Sequence, residues 1–259
     1  MCPDECTRMN ILIVHAHPEP QSFIGAMRSV ALDTLTENGH TVVVSDLYAE
    51  NFGATAGADD FTDRLNQELL NLGAEQEHAA GNKSFSKDIQ GEIDRLFAAD
   101  LLILQFPLWW YSVPAIMKGW IDRVFAYGVT YDFGHTWDRG KMQGKRAMLA
   151  FTTGAPATTF APDGRNGDLE GVLWPLHAGV LALCGFDVLQ PFTGWAPAWV
   201  GDEGRQTILE QYADRLRHIE NDEPMYFHGL DDYDEQSRLK PEIDPATPCQ
   251  HRGDRYHLK

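Results

Sequence analysis

The sequence predicts an α/β fold built on a doubly wound, five-stranded parallel sheet with an extension at its C-terminus. Three observations point there. Short runs that are apolar at every position recur along the chain, as strands covered on both faces require. Segments with apolar residues at helical spacing fall between these runs. The length, 259 residues, suits one α/β domain of about 200 residues with an added arm.

The first run is Ile11–Val14. Phe23, Met27, Val30 and Ala31 follow at helical spacing, with a stop at Asn38–Gly39 and Ser22 placed to cap the start. Thr41–Ser45 is the second run. The polar stretch 59–87, punctuated by Gly73, Gly81 and Asn82, reads as a long excursion rather than a domain. Ser86 is an N-cap candidate for a helix carrying Ile89, Ile93, Leu96 and Phe97. Leu101–Gln105 is the third run, and Met117, Ile121, Val124 and Phe125 mark a helix after it. Ala147–Thr152 is the fourth run, Leu173–Leu183 a helix, and Phe186–Gln190 the fifth run. Ile208, Leu209, Tyr212, Leu216 and Ile219 make an amphipathic last helix. Strand alternating with helix implies right-handed crossovers, and five strands suit the flavodoxin-like order 2-1-3-4-5. Residues 1–223 are expected to form this unit. Residues 224–259, rich in Pro, Asp and His, are expected to form an extended arm.

Composition narrows the partners. Hydrophobic residues are 43% and charged residues 23%, ordinary for a chain with a core. The formal net charge of −17 would repel a phosphate backbone or an anionic lipid surface, so nucleic acid and stable membrane insertion are not expected. The uncharged stretch 101–117 is short for a spanning helix and is broken by Pro107 and Pro114. Of four cysteines, Cys184 lies in an apolar run and reads as a buried free thiol, while Cys2 and Cys6 have no second pair to complete a zinc site. No metal is expected. The low cysteine count and the polar first ten residues, which lack a secretory pattern, suggest a cytoplasmic protein.

In a doubly wound sheet, ligands sit beyond the carboxyl ends of the strands. The first such loop is His15-Ala-His17-Pro-Glu-Pro-Gln-Ser22-Phe23, leading into a helix. Free N–H groups and the positive dipole end make that helix start an anion site, although a Pro-rich turn with no ligand reads as well. His15 and His17 also suggest a metal pair, but no acidic cluster joins them. The third run opens into Leu108-Trp109-Trp110-Tyr111. Three large aromatics in a row cannot all face one core, so they either hold a flat aromatic ligand or cover a dimer surface. The fourth run ends in Thr152-Thr153-Gly154-Ala155, a common turn that also lets backbone approach a ligand. No G-x-G-x-x-G or Walker A loop is present.

The block FPLWWYSVPAIMKGWIDRVF (106–125) resembles the flavin-contacting segment of the DT-diaphorase family, the NAD(P)H:quinone oxidoreductases. So do HPEPQSF, FTTG and the stretch 166–191, and the similarity spans about residues 10–226. The resemblance implies a homodimer that binds FAD and takes hydride from NADH or NADPH. It passes the hydride to a quinone-like acceptor in a two-electron, ping-pong reaction. Carried over by position, FAD contacts fall on His17, Ser22, Phe23 and Ile24 around the pyrophosphate and on Leu108, Trp109, Trp110 and Tyr111 beside the ring. Thr152, Thr153, Gly154 and Ala155 continue that set, and Asp202 with Arg205 match the adenine side. Thr130, Tyr131 and Asp132 match the acceptor pocket contributed across the dimer, with Phe133 replacing a second tyrosine.

Two departures stand out. A tyrosine and a histidine that support charge on the reduced flavin in mammalian members are replaced by Phe160 and Asn166. Asn166 can donate a hydrogen bond but cannot transfer a proton, and Arg165 could supply charge. Slower or differently tuned turnover is expected. An azo- or nitro-reductase on the same flavin is a rival reading. A non-catalytic regulatory subunit of a potassium efflux system is a second, because the family resembles such proteins.

Overall fold

The structure, a computed structural model, describes residues 8–247, 249 and 250. Cys2 and Cys6 lie outside the described residues. The strands β1 (Asn10–His15), β2 (Thr41–Asp46), β3 (Leu101–Pro107) and β4 (Arg146–Thr152) are joined by two short edge pieces, β5 (Asp187–Val188) and β6 (Phe192–Gly194). All pair in parallel, in the order β2-β1-β3-β4-β5, with β6 on the same edge of β4 further along. The predicted order is therefore present, but its fifth strand is broken. Leu189 still donates to the Ala147 carbonyl at 2.8 Å. Pro191 has no N–H to continue the ladder, so pairing lapses and resumes at Phe192.

Side-chain alternation explains the unbroken apolar runs. Ile11, Ile13, Leu101, Ile103, Met148 and Ala150 face one side, where α1 (Phe23–Glu37) and α6 (Gly201–Arg217) pack through Met27, Leu35, Tyr212 and Leu216. Leu12, Val14, Leu102, Leu104, Leu149 and Phe151 face the other side. There they meet α3 (Lys87–Ala98), α4 (Ala115–Val124) and α5 (Leu169–Leu176) through Ile89, Met117, Trp120 and Leu173. A sheet with both faces covered must be apolar at every position. Asn38 and Gly39 end α1 as expected, the glycine at φ +86°.

The structure refines three local expectations. The polar stretch 59–87 contains a helix, α2 (Leu72–Asn82). Its buried face carries Glu75 and Gln76, which bind backbone groups, and the Arg64 guanidinium lies 3.5 Å from Glu75. Glu75 accepts from Leu65 and Asn66 (2.7 and 3.0 Å), and Gln76 bridges Asp122 and Tyr127 (3.2 and 3.0 Å). That polar face gives no apolar period to read. Ser86 stands at the N-cap of α3, but its hydroxyl donates to the Asp88 carboxylate at 2.6 Å instead of accepting from the helix. Phe97 is 43% exposed rather than part of the α3 core face.

Beyond α5 the chain widens into a π turn, 177–182, which carries the buried His177. The arm starts as an extended segment along the outer edge of β5. Pro224 bridges Leu189, the Met225 N–H donates to Val188 at 2.7 Å, and Met225 and Phe227 pack on the core. Covering an edge in this way hides its unpaired backbone groups. No helix among the described residues is long and apolar enough to cross a membrane.

Candidate active site

Four loops meet at the carboxyl edge of the sheet. Those after β1, β3 and β4 were expected there, and the loop after β6 joins them. The backbone stitches them together. Ala16 N–H donates to Gln105 (3.0 Å), Leu108 N–H to Thr152 (2.8 Å) and Thr153 N–H to Gly194 (3.1 Å). Rings complete the join. His17 lies 5.9 Å from Trp109, Tyr111 is 6.3 Å from Phe160, and Phe160 is 5.7 Å from Trp195.

The aromatic loop is a tight hairpin. Trp109 and Ser112 exchange two backbone hydrogen bonds of 3.0 Å, which leaves Trp110 and Tyr111 as the two turn residues, at φ 51° and 59°. Such turns favour Asn-Gly, because a side chain in the left-handed region costs about 1–2 kcal/mol per residue. The chain bears that cost with two large aromatics, and the effect is to hold them outward. Trp109 is 42% exposed, Trp110 96% and Tyr111 51%. Strain of this kind concentrates at functional sites.

The start of α1 is arranged to receive an anion. Ser22 Oγ accepts from the Gly25 N–H at 3.2 Å and fixes the first turn, in which there is no acidic residue. The Phe23 and Ile24 N–H groups belong to the open end of the helix. Ser22→Ala is expected to cost about 1 kcal/mol of stability in a urea titration, the usual value of a lost cap. The Glu19 N–H donates to His17 Nδ1 at 3.0 Å, which holds the ring beside Trp109. In the β4 loop the Thr153 hydroxyl is spent internally, donating to the Ala155 carbonyl at 2.7 Å. Gly154 is exposed, and a Cβ there would meet nothing within 4 Å. Asn166 turns inward on its own loop, its amide donating to the Thr159 hydroxyl at 3.3 Å. Phe160 is buried between Tyr111 and Trp195. Asp202 and Arg205 pair with each other on the first turn of α6, and Arg205 also donates to the Pro197 carbonyl at 3.2 Å.

Residues 130–133 are not brought to these loops within one chain. Tyr131 borders a separate cavity of about 390 Å³ with Ile121, Phe125, Leu183 and Cys184. None of the four loops lines it. Burial raises the Tyr131 hydroxyl pKa. Thr130 is fully buried and accepts from the Cys184 thiol, itself pushed up to about 11 by burial. Asp132 pairs with Lys141 and His135, which hold its carboxyl below the usual range. Phe133 is 94% exposed.

No local sequence pattern marks the Trp195 wall, and a buried polar chain lies under the site. His15 does not act with His17. It closes β1, buried, and its Nδ1 donates to Gln105 Oε1 at 3.0 Å, while Gln105 donates to the Tyr212 hydroxyl at 3.3 Å. Burial lowers the His15 pKa. A Gln inside an otherwise apolar third strand was the available signal.

A family model described by its flavodoxin-like fold matches residues 9–219. Human ribosyldihydronicotinamide dehydrogenase [quinone] is 44% identical over 216 residues, covering 83% of this chain and 94% of that protein. Rat NAD(P)H dehydrogenase [quinone] 1 is 38% identical over 217 residues, covering 83% and 79%. The chain belongs to the family of these quinone dehydrogenases. Among solved structures, a Klebsiella pneumoniae protein described as a candidate quinone reductase superposes with a TM-score of 0.86 at 36% identity. It covers 92% of this chain and 96% of that one. The family placement makes this protein an oxidoreductase.

Proposed function

We propose that the chain is a FAD-dependent NAD(P)H:quinone oxidoreductase that works by ping-pong hydride transfer as a cytoplasmic homodimer. Residues 1–223 are the catalytic unit and 224–259 an arm. The observation that carries this reading is the strained Trp110–Tyr111 hairpin holding three aromatics outward beside an open helix N-terminus. A flat ring with a pyrophosphate tail needs that pairing of an apolar shelf and an anion site.

Bound FAD would accept a hydride from one ligand and yield it to the next. The protein's part is to bind and orient. The Phe23 and Ile24 N–H groups hold the pyrophosphate, with His17 as a further donor. Leu108, Trp109, Trp110 and Tyr111 line the ring, and Thr152–Ala155 lend backbone beside it, Gly154 leaving the space open. Asp202 and Arg205 flank the adenine side. Asn166 donates a hydrogen bond near the ring and, with Phe160 beside it, no side chain at these two positions holds a transferable proton. Thr130, Tyr131, Asp132 and Phe133, remote from their own chain's loops, wall the acceptor pocket of the partner copy. The donor is NADH or NADPH; the relatives named for ribosyldihydronicotinamide make that smaller compound the third donor to compare.

Two results follow. Flavin released by heat from the purified protein runs as FAD, one per chain; FMN would overturn the cofactor assignment. Replacing Trp110-Tyr111 by Asn-Gly relieves the turn and raises stability by about 1–2 kcal/mol, while flavin affinity falls. Unchanged flavin affinity in that variant would remove the shelf from the site.

A further inference from the structure

The sheet face that meets α1 and α6 is apolar, built from Ile11, Ile13, Ile103 and Ala150. Three polar side chains interrupt it near the carboxyl edge. His15 and Gln105 stand opposite each other in register across β1 and β3. His15 Nδ1 donates to Gln105 Oε1 at 3.0 Å, and Gln105 Nε2 donates to the Tyr212 hydroxyl at 3.3 Å. All three residues are fully buried. The strand order reverses between β1 and β3, so the trio sits at the switch point where doubly wound sheets bind their ligands.

The trio is costly to the fold. Buried imidazole, amide and hydroxyl groups each give up their hydration. Burial lowers the His15 pKa and raises that of Tyr212, which keeps both uncharged, so no ion pair offsets the cost. His15 Nε2 is buried with no partner among the described residues and adds to it. Replacing all members of such a network by apolar groups of similar shape is commonly neutral or stabilising. Packing alone does not call for these residues.

What the trio joins is specific. His15 leads directly into the loop of His17 and the start of α1. Gln105 stands just before Leu108 and the aromatic hairpin. Tyr212 belongs to α6, whose first turn carries Asp202 and Arg205. Its ring also lies 4.6 Å from Phe192, the first residue of the strand that leads to Trp195. Buried hydrogen bonds of fixed geometry select one arrangement of the segments they join.

We propose that His15, Gln105 and Tyr212 are positioning residues for the cofactor, holding the α1 start, the aromatic hairpin and α6 in the mutual register that lets one FAD reach all three. They act through the segments they join rather than by contact. The inference rests on the FAD reading of the site.

The test compares FAD with riboflavin, which has the ring but neither pyrophosphate nor adenine and so engages the ring shelf alone. Affinities for the intact, flavin-stripped protein are measured by fluorescence quenching, and its stability by urea titration. The wild type is compared with a combined His15→Leu, Gln105→Leu, Tyr212→Phe variant and with Tyr212→Phe alone. In the combined variant the urea midpoint is expected at or above the wild-type value. FAD affinity falls roughly tenfold or more while riboflavin affinity stays within about twofold. Tyr212→Phe lowers the ratio of FAD to riboflavin affinity in the same direction, and decides alone if the combined variant does not fold. A wild type that binds FAD with a ratio these substitutions leave unchanged overturns the positioning role. So does a urea midpoint that drops together with the affinity for both ligands, because the trio then serves only the fold. A wild type that binds neither ligand overturns the FAD reading itself, and the positioning role with it.

Discussion

Gly25→Ala is expected to yield a folded protein that purifies with little or no flavin. Gly25 sits in the first turn of α1, directly over the loop that leads into it. A methyl group there would lie 2.2 Å from the Pro20 carbonyl oxygen and 3.1 Å from its carbon, both backbone atoms that cannot swing aside. The Pro20–Ser22 turn must therefore move. With it goes the 3.2 Å cap from Ser22 to the Gly25 N–H, which sets the direction of the helix's first free N–H groups. The core on that face is formed by Met27, Ala31 and Leu35 further along α1, so the fold survives. A loss of two turn-positioned donors to a pyrophosphate is worth about 3 kcal/mol, or roughly a hundredfold in the FAD dissociation constant. Fluorescence quenching of added FAD measures it. Wild-type affinity in the variant would mean that the α1 start is not the phosphate site.

The second large effect is on acid stability, and it comes from His177. This residue in the π turn is 2% exposed, and neither ring nitrogen has a partner among the described residues. Burial pulls its pKa down to about 4. In the unfolded chain the group titrates near 6.5. The folded state therefore binds its proton later than the unfolded state does. Stability is fully present above about pH 6.5 and is lost as pH falls toward 4, by about 3 kcal/mol in all and about 2 kcal/mol by pH 5. Against the roughly 5–15 kcal/mol of a typical domain this is a large fraction. Urea denaturation at pH 7 and pH 5, compared between wild type and His177→Leu, isolates the effect, because the other carboxylates and histidines are common to both. The wild type should lose about 2 kcal/mol more than the variant. Parallel losses would show that His177 is solvated or paired in solution.

The legibility of this chain varied with the kind of signal. Strands buried on both faces announce themselves, since Ile11–Val14 and Leu101–Leu104 are apolar throughout. Helix α1 was readable at both ends because Ser22 caps it and Gly39 takes a left-handed φ. Helix α2 was not, because Glu75 and Gln76 occupy its buried face and satisfy backbone groups from distant loops. The break in the fifth strand was signalled by Pro191, but the resumption at Phe192 depends on pairing with Ala150. At the site, the outward display of Trp109–Tyr111 followed from chemistry. The left-handed turn that achieves it, and the packing of Phe160 on Trp195, are tertiary facts that no local pattern carries. The polar trio under the site depends on contacts between residues ninety positions apart, such as His15 with Gln105.

On the proposed function, a flavin at the carboxyl edge of the sheet is reduced by a dihydronicotinamide and reoxidised by a quinone. The direct measurement is the visible absorbance of the purified protein under anaerobic conditions, first with NADH, NADPH or ribosyldihydronicotinamide and then with menadione. The predicted result is a bound flavin that bleaches with one equivalent of donor and recovers in full with one equivalent of quinone. A protein that takes up no flavin from added FAD, or whose flavin stays oxidised with all three donors, is not a dihydronicotinamide:quinone oxidoreductase.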